Sequence, residues 1–169
     1  MSIVSSIVSG VAYGALTNGN DLYDGNDLSK ANLKKGDIIG WGSDGSGVSR
    51  GILAASGEDF SHVGVVDEDA DGFFIREATG EGKQIRTEIS KYSNRPYKIY
   101  GNRQITQPFV EQRTGFGFKG YNLVETNCTS QATRWTGMDY TNNPGVLYRQ
   151  MNGITPFYTS STLQGYHVW

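Results

Sequence analysis

Apolar and polar residues alternate most regularly between residues 61 and 80. The run SHVGVVDEDADGFFIREATG holds two β-prone stretches, His62–Val66 and Phe73–Glu77, on either side of a six-residue acidic turn. Two such stretches around a short polar turn predict a β-hairpin.

The register of this hairpin follows from pairing the residues that border the turn. If Val66 pairs with Phe73, His62 lies directly opposite Glu77. Opposed residues in an antiparallel pair share a face, with Cβ atoms about 5 Å apart. Glu77 would then either hold the His62 ring by a hydrogen bond or form a solvent-facing charge pair with it. The pattern alone does not decide between the two.

The remaining pattern predicts short elements. Ile38–Trp41 has the apolar character of a buried strand, and residues 82–92 and 96–103 predict one or two further strands. The segment NCTSQATRWTG predicts a short helix that begins after Asn127, a good N-cap residue, and ends at Gly137. The segment GYHVW predicts a strand near the C-terminus. The N-terminal stretch predicts a helix of small residues or an ordered arm.

Composition narrows the function classes. The 169 residues are enough for one domain with a core, and their 23 glycines and 10 tyrosines favour short strands and tight turns. A formal net charge of −2 gives no reason to expect nucleic acid, whose binders concentrate basic residues. A single cysteine excludes an internal disulfide. No basic residue precedes Lys30 and no run of about 18 apolar residues exists, so we expect neither a secretory signal nor a transmembrane segment.

Two acidic segments raise the question of calcium. The repeat within Asn18–Asp27 is typical of a loop, and we interpret it as a turn. Asp67–Asp71 begins like a calcium loop, but position twelve is Ala78 instead of Glu, and strands flank it instead of helices. We therefore interpret it as a solvated turn and predict no metal or other cofactor, although calcium at either segment stays an open alternative.

Cys128 is the candidate nucleophile. A lone cysteine is most often a small buried hydrophobe. At the first turn of a helix, however, the macrodipole and the free N–H groups stabilise a thiolate and can donate to an oxyanion. His62 would supply the base and Glu77 the group that orients it.

The order of these motifs resembles a known superfamily. GDII at 36–39, SHVGVV at 61–66, REATGEG at 76–82 and the NC at 127–128 that opens a helix are similar to motifs of the NlpC/P60 papain-like cysteine hydrolases. In most members the cysteine helix comes first. Here it comes last, so the resemblance is to the circularly permuted branch, which includes the YiiX-like and lecithin:retinol acyltransferase-like proteins.

The resemblance implies an α+β fold in which an antiparallel sheet packs against a short nucleophile helix. The resemblance covers a core at about 33–137. From the chain length we expect one domain over residues 1–169, with an N-terminal arm at 1–32 and a C-terminal extension at 138–169. The NCTSQA segment is also similar to papain-like domains at the ends of bacterial secreted toxins.

The resemblance also assigns roles to residues. Cys128 matches the nucleophile, His62 the base and Glu77 the third polar residue. Tyr121 corresponds to a tyrosine near the oxyanion site, and Asn127, which adjoins the nucleophile, is grouped with it as a candidate oxyanion or substrate contact. His167 is the rival base, since it follows Cys128 as in the ordinary papain order. We favour His62 because a carboxylate accompanies it in the hairpin, whereas no polar partner follows His167.

The function that the resemblance implies is hydrolysis of amide bonds in bacterial cell-wall peptides. An alternative is a lipid-directed acyltransferase or deacylase, and a third is a binding module that kept the fold without the chemistry. With no signal sequence or wall-anchoring repeat evident, we expect a secreted or envelope-delivered antibacterial effector. Its partners would be the peptidoglycan substrate and, by analogy, an immunity protein or a secretion machinery.

Overall fold

The computed structural model describes residues 23–42, 44–47, 49–50, 60–113 and 127–151. Two expectations fall outside these residues: the N-terminal helix or arm, and the C-terminal strand with His167. Tyr121 also lies outside them.

The described residues form one antiparallel sheet with short helices, so the expected α+β class is confirmed at that level. The strands lie in the order β4-β3-β2-β1-β5, and every neighbouring pair is antiparallel. Their bounds are β1 Asp37–Trp41, β2 His62–Asp69, β3 Gly72–Thr79, β4 Gly82–Thr87 and β5 Tyr97–Asn102. The strand expected at Ile38–Trp41 is confirmed as β1.

Two α-helices and two 3₁₀-helices have bounds within the described residues, and Gly47, Ser49 and Arg50 are also helical. The helix predicted after Asn127 is confirmed as α1 (Cys128–Trp135), and Gly137 beyond it has φ +63°. A second helix, α2 (Pro144–Met151), was not predicted. The 3₁₀-helices are η1 (Leu28–Lys30) and η2 (Ile89–Tyr92). The strand predicted over 82–92 therefore ends as β4 at Thr87. None of the helices described is long and apolar enough to cross a membrane.

The predicted hairpin register was wrong by two residues. Glu77 lies opposite Gly64, not His62, and the strands continue until Asp69 pairs with Gly72. The turn therefore has two residues instead of six, and Gly72 takes a positive φ of +112° that suits glycine. Because side chains alternate with a period of two, the shift leaves His62 and Glu77 on the same face.

Asp67 accounts for this error. We expected it in a solvated turn, but it lies buried within β2. Its carboxylate oxygens lie 3.5 Å from Arg76 Nη1 and 3.2 Å from Lys35 Nζ. A buried charge is tolerated where a counter-charge accompanies it, so this aspartate extends the strand instead of ending it.

The sheet separates two hydrophobic clusters. On one face α1 packs against β2 and β3, and Cys128, Ala132 and Trp135 join Val63, Val65 and Leu147 of α2. On the other face Leu28 of η1 and Tyr92 of η2 pack with Ile39, Trp41, Val66, Ile75 and Tyr97. Leu28 and Leu147, which lie outside residues 33–137, are thus both part of the core.

Gly64 provides the space in which the Trp41 ring lies. A Cβ at this position would stand 2.8 Å from Ile75 Cγ2 and 3.0 Å from the Trp41 ring. Real side chains do not approach so closely without displacement, and forcing extra volume into a packed core costs about 1–3 kcal/mol.

We expect Gly64→Ala to lower the free energy of unfolding by that amount and to displace Trp41. Chemical denaturation followed by tryptophan fluorescence measures both effects. Gly47→Ala is the matched control, because a Cβ there meets nothing within 4 Å. Equal stability of the two variants would contradict this packing.

Candidate active site

Cys128 is the first residue of α1, and the local sequence fixes that position. The Asn127 side chain accepts a hydrogen bond from the Ser130 N–H at 2.9 Å, and the Ser130 hydroxyl accepts one from the Asn127 N–H at 3.1 Å. This reciprocal capping box makes Asn127 the N-cap, as predicted. The N–H groups of Cys128 and Thr129 remain as the first donors of the helix. The thiol itself is 4% exposed.

His62 is the first residue of β2, so its ring stands at one end of the sheet. Its strand partner on β1 is Trp41, and the two rings stack with centroids 5.4 Å apart. Trp41 stacks in turn on Tyr92 at 4.1 Å. The imidazole is thus held against an aromatic surface with a side-chain exposure of 13%.

Glu77 is fully buried and accepts hydrogen bonds from three elements. Its Oε2 accepts from His62 Nε2 at 2.5 Å and from the Tyr92 hydroxyl of η2. Its Oε1 accepts from the Thr87 hydroxyl of β4 at 2.5 Å, and Lys91 Nζ lies 3.6 Å away. A carboxylate with this many donors is fixed in position and in its charged form.

Cys128 and His62 interact directly across the end of the sheet. Because Nε2 of His62 is directed at Glu77, Nδ1 is the ring nitrogen left to face the sulfur. The backbone amide of Val63 also helps to lower the pKa of the thiol. The thiol therefore approaches the beginning of β2 from the face of the sheet on which α1 packs. The imidazole and Glu77 lie on the opposite face.

The electrostatics favour a thiolate–imidazolium pair. Burial alone would lower the pKa of His62, but the negative charges of Cys128 and Glu77 together raise that pKa to about 9. Burial alone would raise the pKa of Cys128, but the His62 charge and the Val63 hydrogen bond hold it below its ordinary value. The charges of the sulfur and the ring therefore stabilise each other, and the two groups titrate as a pair.

The same contacts determine the ionisation of the supporting groups. Burial raises the pKa of Glu77, yet hydrogen bonds from His62, Thr87 and Tyr92 outweigh it and lower the pKa to about 2. The pKa of Tyr92 is raised by burial and by the Glu77 charge, so its hydroxyl keeps the proton that it donates. Glu77 is therefore an anion wherever the protein is folded near neutral pH.

The structure brings together three of the predicted site residues: Cys128, His62 and Glu77. Asn127 adjoins them, but the two ends of its amide serve the fold. Oδ1 caps α1, and Nδ2 donates to the Asn142 carbonyl at 2.8 Å. We therefore assign Asn127 to helix capping. Tyr121 and His167 lie outside the described residues, so their assignments stay predictions.

Three residues at the site were missed by the sequence analysis: Trp41, Thr87 and Tyr92. Each contacts His62 or Glu77 from a different element, and no local motif links them. The one available signal was the apolar spacing of Trp41 within the predicted strand, which indicated burial but not its stacking on His62.

Unpaired polar atoms concentrate near the nucleophile. Four buried side-chain atoms lack a hydrogen-bond partner in the described part of the chain, namely Trp41 Nε1, Arg76 Nε, Thr129 Oγ1 and Gln131 Nε2. Thr129 and Gln131 belong to the first turn of α1, and Trp41 stacks on His62. Native proteins pair most buried polar groups, so unpaired ones mark places where function competes with stability.

Across the ranges that the structure describes, no group of three or more His, Cys, Asp or Glu side chains could hold a metal ion. Comparison of the chain with protein-family models, with curated proteins and with solved structures finds no match. The chemistry of the site is therefore argued from its geometry.

Cys128 should alkylate readily near neutral pH because its pKa is lowered. The iodoacetamide rate of the folded protein should rise with a midpoint well below the ordinary cysteine pKa of about 8.5. His62→Ala should move that midpoint upward, because burial without the imidazolium raises the pKa. A midpoint at or above the ordinary value that His62→Ala leaves unchanged would contradict the ion pair.

Proposed function

We propose that the protein is a cysteine hydrolase of the permuted papain-like NlpC/P60 type that cleaves amide bonds in bacterial cell-wall peptides. The observation that carries the proposal is a thiol at the first residue of a helix, beside an imidazole whose Nε2 is bound to a fully buried carboxylate. This is the arrangement that nucleophilic acyl transfer requires.

In the acylation step the Cys128 thiolate attacks the carbonyl carbon of the amide, and the carbonyl oxygen becomes an oxyanion. The free N–H groups at the beginning of α1 are the donors closest to the attacking sulfur. As the intermediate collapses, imidazolium Nδ1 of His62 gives its proton to the departing amine. A thioester at Cys128 and a free amine result.

In the deacylation step His62, now neutral, takes a proton from water, and the resulting hydroxide equivalent attacks the thioester carbon. The acid leaves, and Cys128 is again a thiolate beside an imidazolium. Glu77 keeps its charge throughout, because its pKa lies near 2. Its contribution is to hold the ring and to stabilise the imidazolium, not to move a proton.

The choice of an amide substrate rests on two features. A leaving amine needs protonation, and a His62 pKa of about 9 keeps the acid form dominant at neutral pH. The resemblance of the four sequence motifs to NlpC/P60 hydrolases supplies the cell-wall peptide as substrate class.

Digestion of purified peptidoglycan tests this proposal, with fragments identified by mass. The wild type should release fragments that carry new amino and carboxyl termini, whereas Cys128→Ala and His62→Ala should release none. The double variant should be no worse than either single one, because members of one unit are not additive. Phospholipid vesicles serve as the second substrate, and deacylated lipid beside intact peptidoglycan would overturn the proposal.

Glu77→Gln should lower the rate by about ten- to a thousandfold, a smaller loss than that of His62→Ala, because an orienting group contributes less than the base. The neutral amide keeps the shape of the side chain but no longer stabilises the imidazolium. Glu81→Gln is the matched control, since Glu81 is 68% exposed and pairs only with Arg113. If Glu77→Gln were as active as Glu81→Gln with the fold intact, Glu77 would have no part in the reaction.

A further inference from the structure

Arg95 lacks the carboxylate partner that the other buried or half-buried arginines of the described residues have. Arg76 pairs with Asp67, and Arg86 pairs with Asp69 and Glu88. Arg95 is half-buried, yet no carboxylate of the described residues lies within ion-pair distance of it. Holding a cation out of bulk water without a counter-ion is unfavourable, so the absence of a partner calls for an explanation.

The guanidinium of Arg95 is fixed in one position. Its Nε donates to the Gly42 carbonyl at 2.8 Å, and its Nη2 lies 3.3 Å from the Ser61 hydroxyl. The Gly42 N–H donates in turn to the carbonyl of Pro96 at 2.8 Å, which ties the same corner to the end of β1. Two of the five guanidinium N–H groups are thereby used, and three remain.

This fixed cation contacts residues that adjoin the catalytic groups in the chain or in space. Ser61, which it contacts, immediately precedes His62 in the chain. Arg95 also follows η2, whose Tyr92 binds Glu77, and its charge reaches the Tyr92 hydroxyl. The hydroxyls of Ser61 and Ser49 lie 2.5 Å apart next to the guanidinium and add further polar groups.

Asp44 is a carboxylate whose pKa the Arg95 charge helps to lower, but its own hydrogen bonds lie within its loop. Its Oδ1 accepts from the Ser46 N–H at 2.9 Å, and hydrogen bonds within this loop are the main cause of its lowered pKa. Arg95 adds only a weaker, longer-range effect on that pKa. Asp44 therefore leaves the outward N–H groups of Arg95 available.

We propose that Arg95 is a specificity-determining residue that binds a carboxylate of the substrate close to the scissile amide. The free edge of a guanidinium matches the two oxygens of a carboxylate, which it can bind through paired hydrogen bonds. The inference rests on the proposed function and narrows its substrate class to acidic peptides with a free carboxylate beside the cleaved bond.

Two matched stem peptides test this inference, one with the carboxylate next to the cleaved amide free and the other with it amidated. The wild type should prefer the free acid by about ten- to a hundredfold in kcat/KM, the range expected for hydrogen bonds to a charged group. Arg95→Gln should reduce the ratio of the two kcat/KM values to about one. Arg95→Lys should keep part of the preference.

Arg103→Gln is the control, because Arg103 is exposed and bonds only to a neighbouring carbonyl. Equal cleavage of the two peptides by the wild type would overturn the inference while leaving the proposed function intact. So would equal losses on both peptides in Arg95→Gln, since these would assign Arg95 a purely structural role. Failure of the wild type to cleave any cell-wall peptide would instead remove the proposed function.

Discussion

The buried carboxylate of Glu77 is the constraint around which the site is built. An ionised carboxylate with no exposure to water is stable only if its oxygens find enough donors. Here the donors come from His62 on β2, Thr87 on β4 and Tyr92 on η2, and Lys91 lies nearby. The hydrogen bonds to this one carboxylate therefore connect the middle of the sheet to its edge strand β4 and to η2, which packs on the sheet.

The division of the sheet into two faces explains how the thiol and the carboxylate can act on the same ring. Glu77, Trp41 and Tyr92 hold the imidazole on one face, while α1 packs on the other and brings Cys128 to the end of β2. The ring stands between them, with Nε2 bound to the carboxylate and Nδ1 facing the sulfur. Each element that fixes the ring is thus independent of the helix that carries the nucleophile.

The sequence predicted the local features of the site better than its non-local ones. Asn127 and Gly137 bound α1 as expected, because helix ends depend on single residues. The contact between His62 and Glu77 was predicted from a register that was wrong by two residues, and it survived because that error preserves the face. The register itself depended on Asp67, whose burial beside Arg76 cannot be seen from its charge.

Other features depended on contacts between distant segments. Tyr92 and Thr87 bond to Glu77 from segments whose sequence pattern predicted only a strand. The fixed position of Arg95 depends on its hydrogen bonds to Gly42 and Ser61, which are distant in the sequence. The helix α2 was missed although Pro144 occupies its first position, a common helix start, because eight residues give little periodicity.

The protonation state of His62 tests the account most directly. Nitrogen NMR of the imidazole groups, with His167→Asn used for assignment, follows the titration of His62 in the folded protein. The account predicts an imidazolium that persists to a pKa of about 9 and a clear fall of that pKa in Cys128→Ala, where the thiolate charge is lost. A His62 that titrates near its ordinary pKa of 6.5, unchanged by Cys128→Ala, would contradict it.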